Sequence, residues 1–107
     1  MFTGIITHRG TIESATRGKV VVHAPRAVLG KLSRGASIAV SGVCLTVATK
    51  TKDGFAADLM EETLSRTTLG TLACGQAVNL ELPATPGTFI GGHIVQGHVD
   101  GVGVVRK

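Results

Sequence analysis

The sequence predicts an all-β domain that closes into a small barrel, and three observations carry that expectation. Valine and isoleucine come in short bursts separated by glycine, polar pairs or proline, the punctuation of strands joined by tight turns. Fifteen glycines stand against only three prolines in 107 residues, which suits many turns rather than a proline-rich linker. Six candidate strands in so short a chain would leave an open sheet with unprotected edges, and closure removes them.

The first candidate strand, Phe2–Ala15, and the last, His93–Val105, are long and contain glycines, so each is expected to bend or bulge. Between them come Lys19–His23, Ser37–Lys50, Phe55–Met60 and Ala77–Leu82. Lys52-Asp53-Gly54 is a turn signal before the fourth. Two segments break the pattern. Pro25 to Leu32 opens on proline and spaces Val28, Leu29 and Leu32 as a short helix would. Glu61–Arg66 follows Asp58, which stands three residues before Glu61 as a capping box requires, and Gly70 supplies a stop. Both helices are short enough to be barrel plugs or corners. There is no long-period repeat and no internal linker, so residues 1–107 read as one domain, long enough to bury about two-thirds of its unfolded surface.

With 43% hydrophobic and 17% charged residues, the chain is not a disordered tail. The net charge of +4 comes from eleven Lys/Arg against seven Asp/Glu, but the basic residues are dispersed and read as solvation rather than a nucleic-acid patch. No Trp, no Tyr and three Phe equip it poorly for stacking bases. Cys44 and Cys74 match no metal or disulfide framework. The N-terminus lacks a basic region followed by an apolar stretch, and no apolar run approaches the roughly 20 residues of a membrane helix. A soluble protein of the reducing cytoplasm, with neither nucleic acid nor membrane as partner, is the expectation.

Alternation along Ser37–Ala48 puts every second side chain on one face. Ala39, Val43, Leu45 and Val47 fall on one side, suited to a barrel interior. Cys44 and Thr46 fall on the other, about 7 Å apart along the strand. On spacing alone Cys44 reads first as an ordinary buried cysteine, and as a contact for a flat heterocycle second. The densest polar segment is Gly91-Gly92-His93-Ile94-Val95-Gln96-Gly97-His98-Val99-Asp100-Gly101. Five residues apart, His93 and His98 fall on opposite faces of a strand with no obvious third ligand, so no metal site is expected. His98 and Asp100 share a face and form a usable acid–base pair; the plainer reading is an edge-strand histidine beside a turn aspartate. The surrounding glycines permit close approach of a ligand, or a bulge.

Nucleotide signals fail. Gly101-Val102-Gly103-Val104-Val105-Arg106 puts arginine where a dinucleotide fingerprint needs its third glycine, and no helix follows. There is no phosphate loop and no Gly-x-Ser-x-Gly elbow. Glu61-Glu62 opens a helix, where carboxylates favour the macrodipole.

Four stretches resemble one family, in order and with compatible spacing over essentially the whole chain: Met1-Phe2-Thr3-Gly4-Ile5-Ile6; Ser41-Gly42-Val43-Cys44-Leu45-Thr46-Val47; Asp58-Leu59-Met60-Glu61-Glu62-Thr63-Leu64 with Thr68-Leu69-Gly70; and Gly91 to Gly101. Together they resemble the N-terminal half of riboflavin synthases of the alpha-chain type. The resemblance implies a six-stranded antiparallel Greek-key barrel with one or two short helices. It implies a reaction with no metal and no organic cofactor, in which two molecules of 6,7-dimethyl-8-ribityllumazine dismutate. A four-carbon unit passes between them, giving riboflavin and a ribitylamino-pyrimidinedione. Two barrels per chain each hold one lumazine, and barrels of neighbouring subunits meet to lay the substrates face to face, an acceleration by proximity.

Carried onto this sequence, Gly4, Ile5 and Ile6 would form one wall of the pocket, with Phe2 at the barrel rim near the facing substrate. Cys44, Leu45 and Thr46 would touch the heterocycle. Asp58, Leu59, Met60, Glu61, Glu62 and Thr63 would meet the pteridine ring and ribityl chain, and Gly97, His98 and Val99 would close the site. His98 is the candidate for proton transfer or orientation, and Cys44 for assisting attack or simple contact. The family continues into a second barrel where this sequence stops at Lys107. A single barrel is therefore expected to self-associate, as a homodimer or homotrimer, and to bind lumazine and riboflavin with little or no turnover. One rival is a non-catalytic flavin or lumazine carrier, against which Cys44 and His98 argue. Another is a small basic barrel for single-stranded nucleic acid.

Overall fold

A computed structural model describes residues 2–16, 18–84 and 97–106. Its strands are β1 (His8–Thr16), β2 (Lys19–His23), β3 (Ser37–Val40), β4 (Val43–Lys50), β5 (Gly54–Asp58) and β6 (Ala77–Glu81). They form a closed barrel in the order β1-β2-β5-β4-β3-β6, every pairing antiparallel. β3, β4 and β5 follow one another as hairpins and β6 returns beside β3, which is the Greek-key order. The expected architecture is therefore present, as are the two short helices, α1 (Arg26–Leu29) and α2 (Glu61–Arg66).

The strands that make up the barrel differ from the expected set. Ser37–Lys50 is a hairpin rather than one strand: Ser41 and Gly42 take φ of 47° and 83°, the positive values of a two-residue hairpin turn. The turn also reverses the face assignment before it. Ile38 pairs with Leu45 and Val40 with Val43, so Ile38 and Val40 point inward, whereas Ala39 pairs with Cys44 and shares its outer face. Of the last expected strand, His93–Val105, residues 93–96 lie outside the described residues, and the described part from Gly97 has no regular structure. The first begins at His8 rather than Phe2 and bulges between Ile12 and Ser14.

The interior is filled by Ile12, Val20, Val22, Ile38, Val40, Val47, Phe55 and Leu80, all essentially inaccessible. Each such side chain contributes about 1.5–3 kcal/mol by leaving water. α1 plugs one end. Pro25 precedes its first residue, Val28 and Leu29 enter the core, and Lys50 Nζ donates to the carbonyls of Leu29 (2.8 Å) and Leu32 (3.1 Å), tying the helix end and the turn after it to the end of β4. Gly54 starts β5 where a Cβ would collide with the Val22 carbonyl.

α2 is held differently. Its N-cap is Met60, with no side-chain cap. Asp58 does not cap it, because it is still paired with Lys19 in the sheet. Gly70 is not its stop either: the helix ends at Arg66 and Gly70 belongs to a 3₁₀ turn, Thr68–Thr71. Glycine is needed there because the backbone presses on the Leu64 carbonyl, leaving no room for a Cβ. No residue of α2 is buried.

Candidate functional site

The last β4–β5 pair toward the start of β4 is Val47 with Ala57, and β5 ends at Asp58. The returning chain takes the vacated place: Cys44 N–H donates to the Gly97 carbonyl at 2.9 Å. Gly97 has φ +81°, and a Cβ there would sit 3.0 Å from both Cβ and N of Cys44. Only glycine meets both demands without displacement. α2 forms the facing side, and between the two lies a cleft of about 280 Å³ lined by Val43, Cys44, Met60, Glu62, Thr63, Arg66, Thr67, Gly97, His98, Val99 and Asp100. That is close to the lower limit of small-molecule sites, room for one flat heterocycle.

Seven residues expected from the sequence meet here: Cys44, Met60, Glu62, Thr63, Gly97, His98 and Val99. Cys44 is half-buried and unpaired as a thiol, while His98 and Asp100 are exposed. No hydrogen bond joins His98 to Asp100 among the described residues, so the orienting pair is not formed here. Glu62 Oε1 stands 3.5 Å from Arg66 Nε, an i,i+4 pair largely in solvent. A thiol, an imidazole, two carboxylates and hydroxyls thus ring one small cavity, a set that can hydrogen-bond a polar ring and its substituents. Among the described residues no group of three or more His, Cys, Asp or Glu could hold a metal ion. No helix there is long and apolar enough to cross a membrane.

The remaining expected residues lie elsewhere. Leu45 points into the core, and Thr46 is exposed on the Cys44 face. Asp58 is exposed at the end of β5. Leu59 and Glu61 line a second cleft, of about 320 Å³, on the other flank of α2, with Ala15, Thr16, Leu64, Ser65, Leu69, Gly70 and Leu72. Phe2 is 1% exposed, enclosed by protein rather than presented at the rim. Gly4, Ile5 and Ile6 are exposed on a segment tethered by Glu81. This buried carboxylate accepts from Thr3 N–H (2.6 Å), Thr3 Oγ1 (2.9 Å) and Gly4 N–H (3.1 Å). Glu81 pairs with Ala39, and Ala39 with Cys44, so the tether lies two strand spacings, about 10 Å, from the thiol.

Sequence reasoning missed Val43, Arg66, Thr67, Asp100 as a lining residue, and Glu81. Arg66 was visible as the i+4 partner of Glu62. Glu81 had a weaker signal, a carboxylate within an apolar strand pattern.

A closed Greek-key barrel carrying a cleft of this size on its wall has the form of a small-molecule-binding barrel. The family model of the lumazine binding domain matches residues 3–83, and the chain belongs to that family. It is 46% identical to the riboflavin synthase of Mycobacterium bovis over 110 residues, covering 98% of this chain and 54% of that protein. It is 48% identical to that of Photobacterium phosphoreum (98% and 50%) and 43% identical to that of Bacillus subtilis (100% and 51%). The chain thus spans about half the length of these relatives. Crystal structures of LumP with 6,7-dimethyl-8-(1'-D-ribityl) lumazine and with riboflavin both superpose at a TM-score of 0.83 and 27% identity. They cover 94% of this chain and 58% and 56% of LumP.

Proposed function

We propose that this chain is a single lumazine-binding domain of a riboflavin synthase, holding one 6,7-dimethyl-8-ribityllumazine, or riboflavin, in the cleft between Cys44 and α2. The observation that carries this is the Cys44–Gly97 backbone bond, which brings the strand and the His98 segment together opposite Glu62 and Thr63. Similarity to riboflavin synthases over the whole chain supports the ligand class.

In this reading Glu62 and Thr63 offer hydrogen bonds to the ribityl chain or ring, and Val43 and Val99 give apolar contact. His98 moves a proton to or from the lumazine, with Asp100 near enough to orient it once the ligand is bound. Cys44 assists attack at a ring carbon or simply rests against it. Dismutation of two identical heterocycles transfers a four-carbon unit and needs no external oxidant, metal or organic cofactor. It does need a second lumazine facing the first, and Ile5 and Ile6, exposed beside the Glu81 tether, are suited to the wall that meets it. One barrel supplies one site, so turnover calls for self-association into a homodimer or homotrimer, or for a second barrel. The cytoplasm is the proposed setting.

Titration with 6,7-dimethyl-8-ribityllumazine tests this directly, since a chain without Trp or Tyr gives almost no competing emission. Saturable binding with riboflavin formed slowly or not at all is expected, and absence of binding would refute the assignment. The resemblance to LumP, which binds both ligands, favours a carrier as the second reading. A tight complex that never converts, even with a second barrel supplied, would select it.

A further inference from the structure

α2 supplies Glu62, Thr63 and Arg66 to the cleft, yet none of its residues is buried, and a cavity lies on each flank. Leu64 alone packs half-buried against the core, so side-chain packing holds the helix at one point and leaves its position loosely set. Among the described elements it contacts the 3₁₀ turn that follows it most, and that junction is bonded through one side chain. Thr67 is 7% exposed. Its hydroxyl donates to the Thr63 carbonyl at 2.6 Å and accepts from Leu69 N–H at 3.2 Å. Two backbone groups at a helix end that would otherwise lack partners are joined by one oxygen atom. Leu69 is buried in the core, so the chain of bonds runs from the cleft wall through Thr67 to the barrel. Gly70, pressed on the Leu64 carbonyl, keeps the turn close enough for it.

We propose that Thr67 is a positioning residue: its hydroxyl anchors α2 to the core and thereby holds Thr63 and Glu62 at the distance a bound lumazine requires. The inference rests on the ligand proposed above. Thr67→Val keeps the shape and removes both hydrogen bonds; Thr67→Ser restores them. Lumazine affinity is measured by fluorescence titration well below each variant's Tm, with Val28→Ala, a core change in α1 remote from the cleft, as the stability control. The expected result is a Kd raised about tenfold in Thr67→Val, the equivalent of one lost hydrogen bond, and within twofold of the unaltered chain in Thr67→Ser. Val28→Ala lowers Tm but leaves Kd within twofold. A Kd unchanged in Thr67→Val, or raised equally in Val28→Ala, would overturn the positioning role while leaving the ligand assignment standing. Failure of the unaltered chain to bind would overturn the ligand assignment and this inference with it.

Discussion

Replacing Gly97 with alanine adds one methyl group at the point where the returning chain touches β4. Two costs follow from the geometry. An L-residue at φ +81° carries about 1–2 kcal/mol of left-handed strain. The new Cβ, 3.0 Å from two atoms of Cys44, pushes the chains apart and weakens the 2.9 Å bond from Cys44 N–H to the Gly97 carbonyl, about 1 kcal/mol more. The sum, about 2–3 kcal/mol, acts on the docking of one segment rather than on the core. From Gly97 to Arg106, only Val99 packs against the core cluster. The barrel should therefore keep its circular-dichroism spectrum and most of its thermal stability while the cleft loses a wall. At 1.4 kcal/mol per decade the Kd for lumazine should rise by roughly 30- to 140-fold. Fluorescence titration and thermal unfolding on the same samples separate the two effects. A variant that binds within twofold of the unaltered chain would refute the claim that this contact shapes the site. So would one whose affinity falls only because the whole protein unfolds.

Glu81→Ala should destabilise by about 3 kcal/mol, because it orphans donors of Thr3 and Gly4 that the carboxylate now satisfies; thermal unfolding should show a Tm more than about 10 °C lower. Phe55→Ala removes an inaccessible aromatic ring of the core and should cost about 3–5 kcal/mol in urea unfolding. Arg66→Ala breaks only a largely solvated pair at 3.5 Å and should move stability by less than about 0.5 kcal/mol, so any larger change in lumazine affinity reports contact with the ligand.

Local alternation and turn chemistry made much of this protein legible. The outward placement of Cys44 and Thr46 followed from a period of two, and α2 forms over Glu61–Arg66 as expected, although neither its cap nor its stop is the residue expected. Ser41-Gly42 carried a hairpin signal that an apparently continuous run from Ser37 to Lys50 concealed; overlooking that turn put Ala39 on the wrong face. Asp58 had the spacing of a cap but stays in β5, because its pairing with Lys19 wins over a local side-chain bond. The Glu81 tether joins residues 78 positions apart, and the Gly97–Cys44 contact depends on where β5 happens to end. Glu81 left only the trace of a carboxylate in an apolar strand and Gly97 only that of a glycine-rich segment, and neither trace names the partner. The site's membership was half visible for the same reason: strand and helix residues announce themselves by period, whereas Thr67 acts through a turn that only the folded chain brings against α2.

The filled interior has a consequence for how such a protein can change. With Phe55 and a shell of aliphatic side chains occupying the centre of the barrel, the interior has no room for a ligand, and the proposed site lies on segments draped over the outside. If the proposed cleft is the binding site, substitutions at Met60, Glu62, Arg66 or His98 alter what is grasped without asking the core to repack. Stability and ligand choice can therefore drift separately over generations. A scaffold divided in this way can pass from converting a heterocycle to merely storing it, or back, through a few exchanges on one wall.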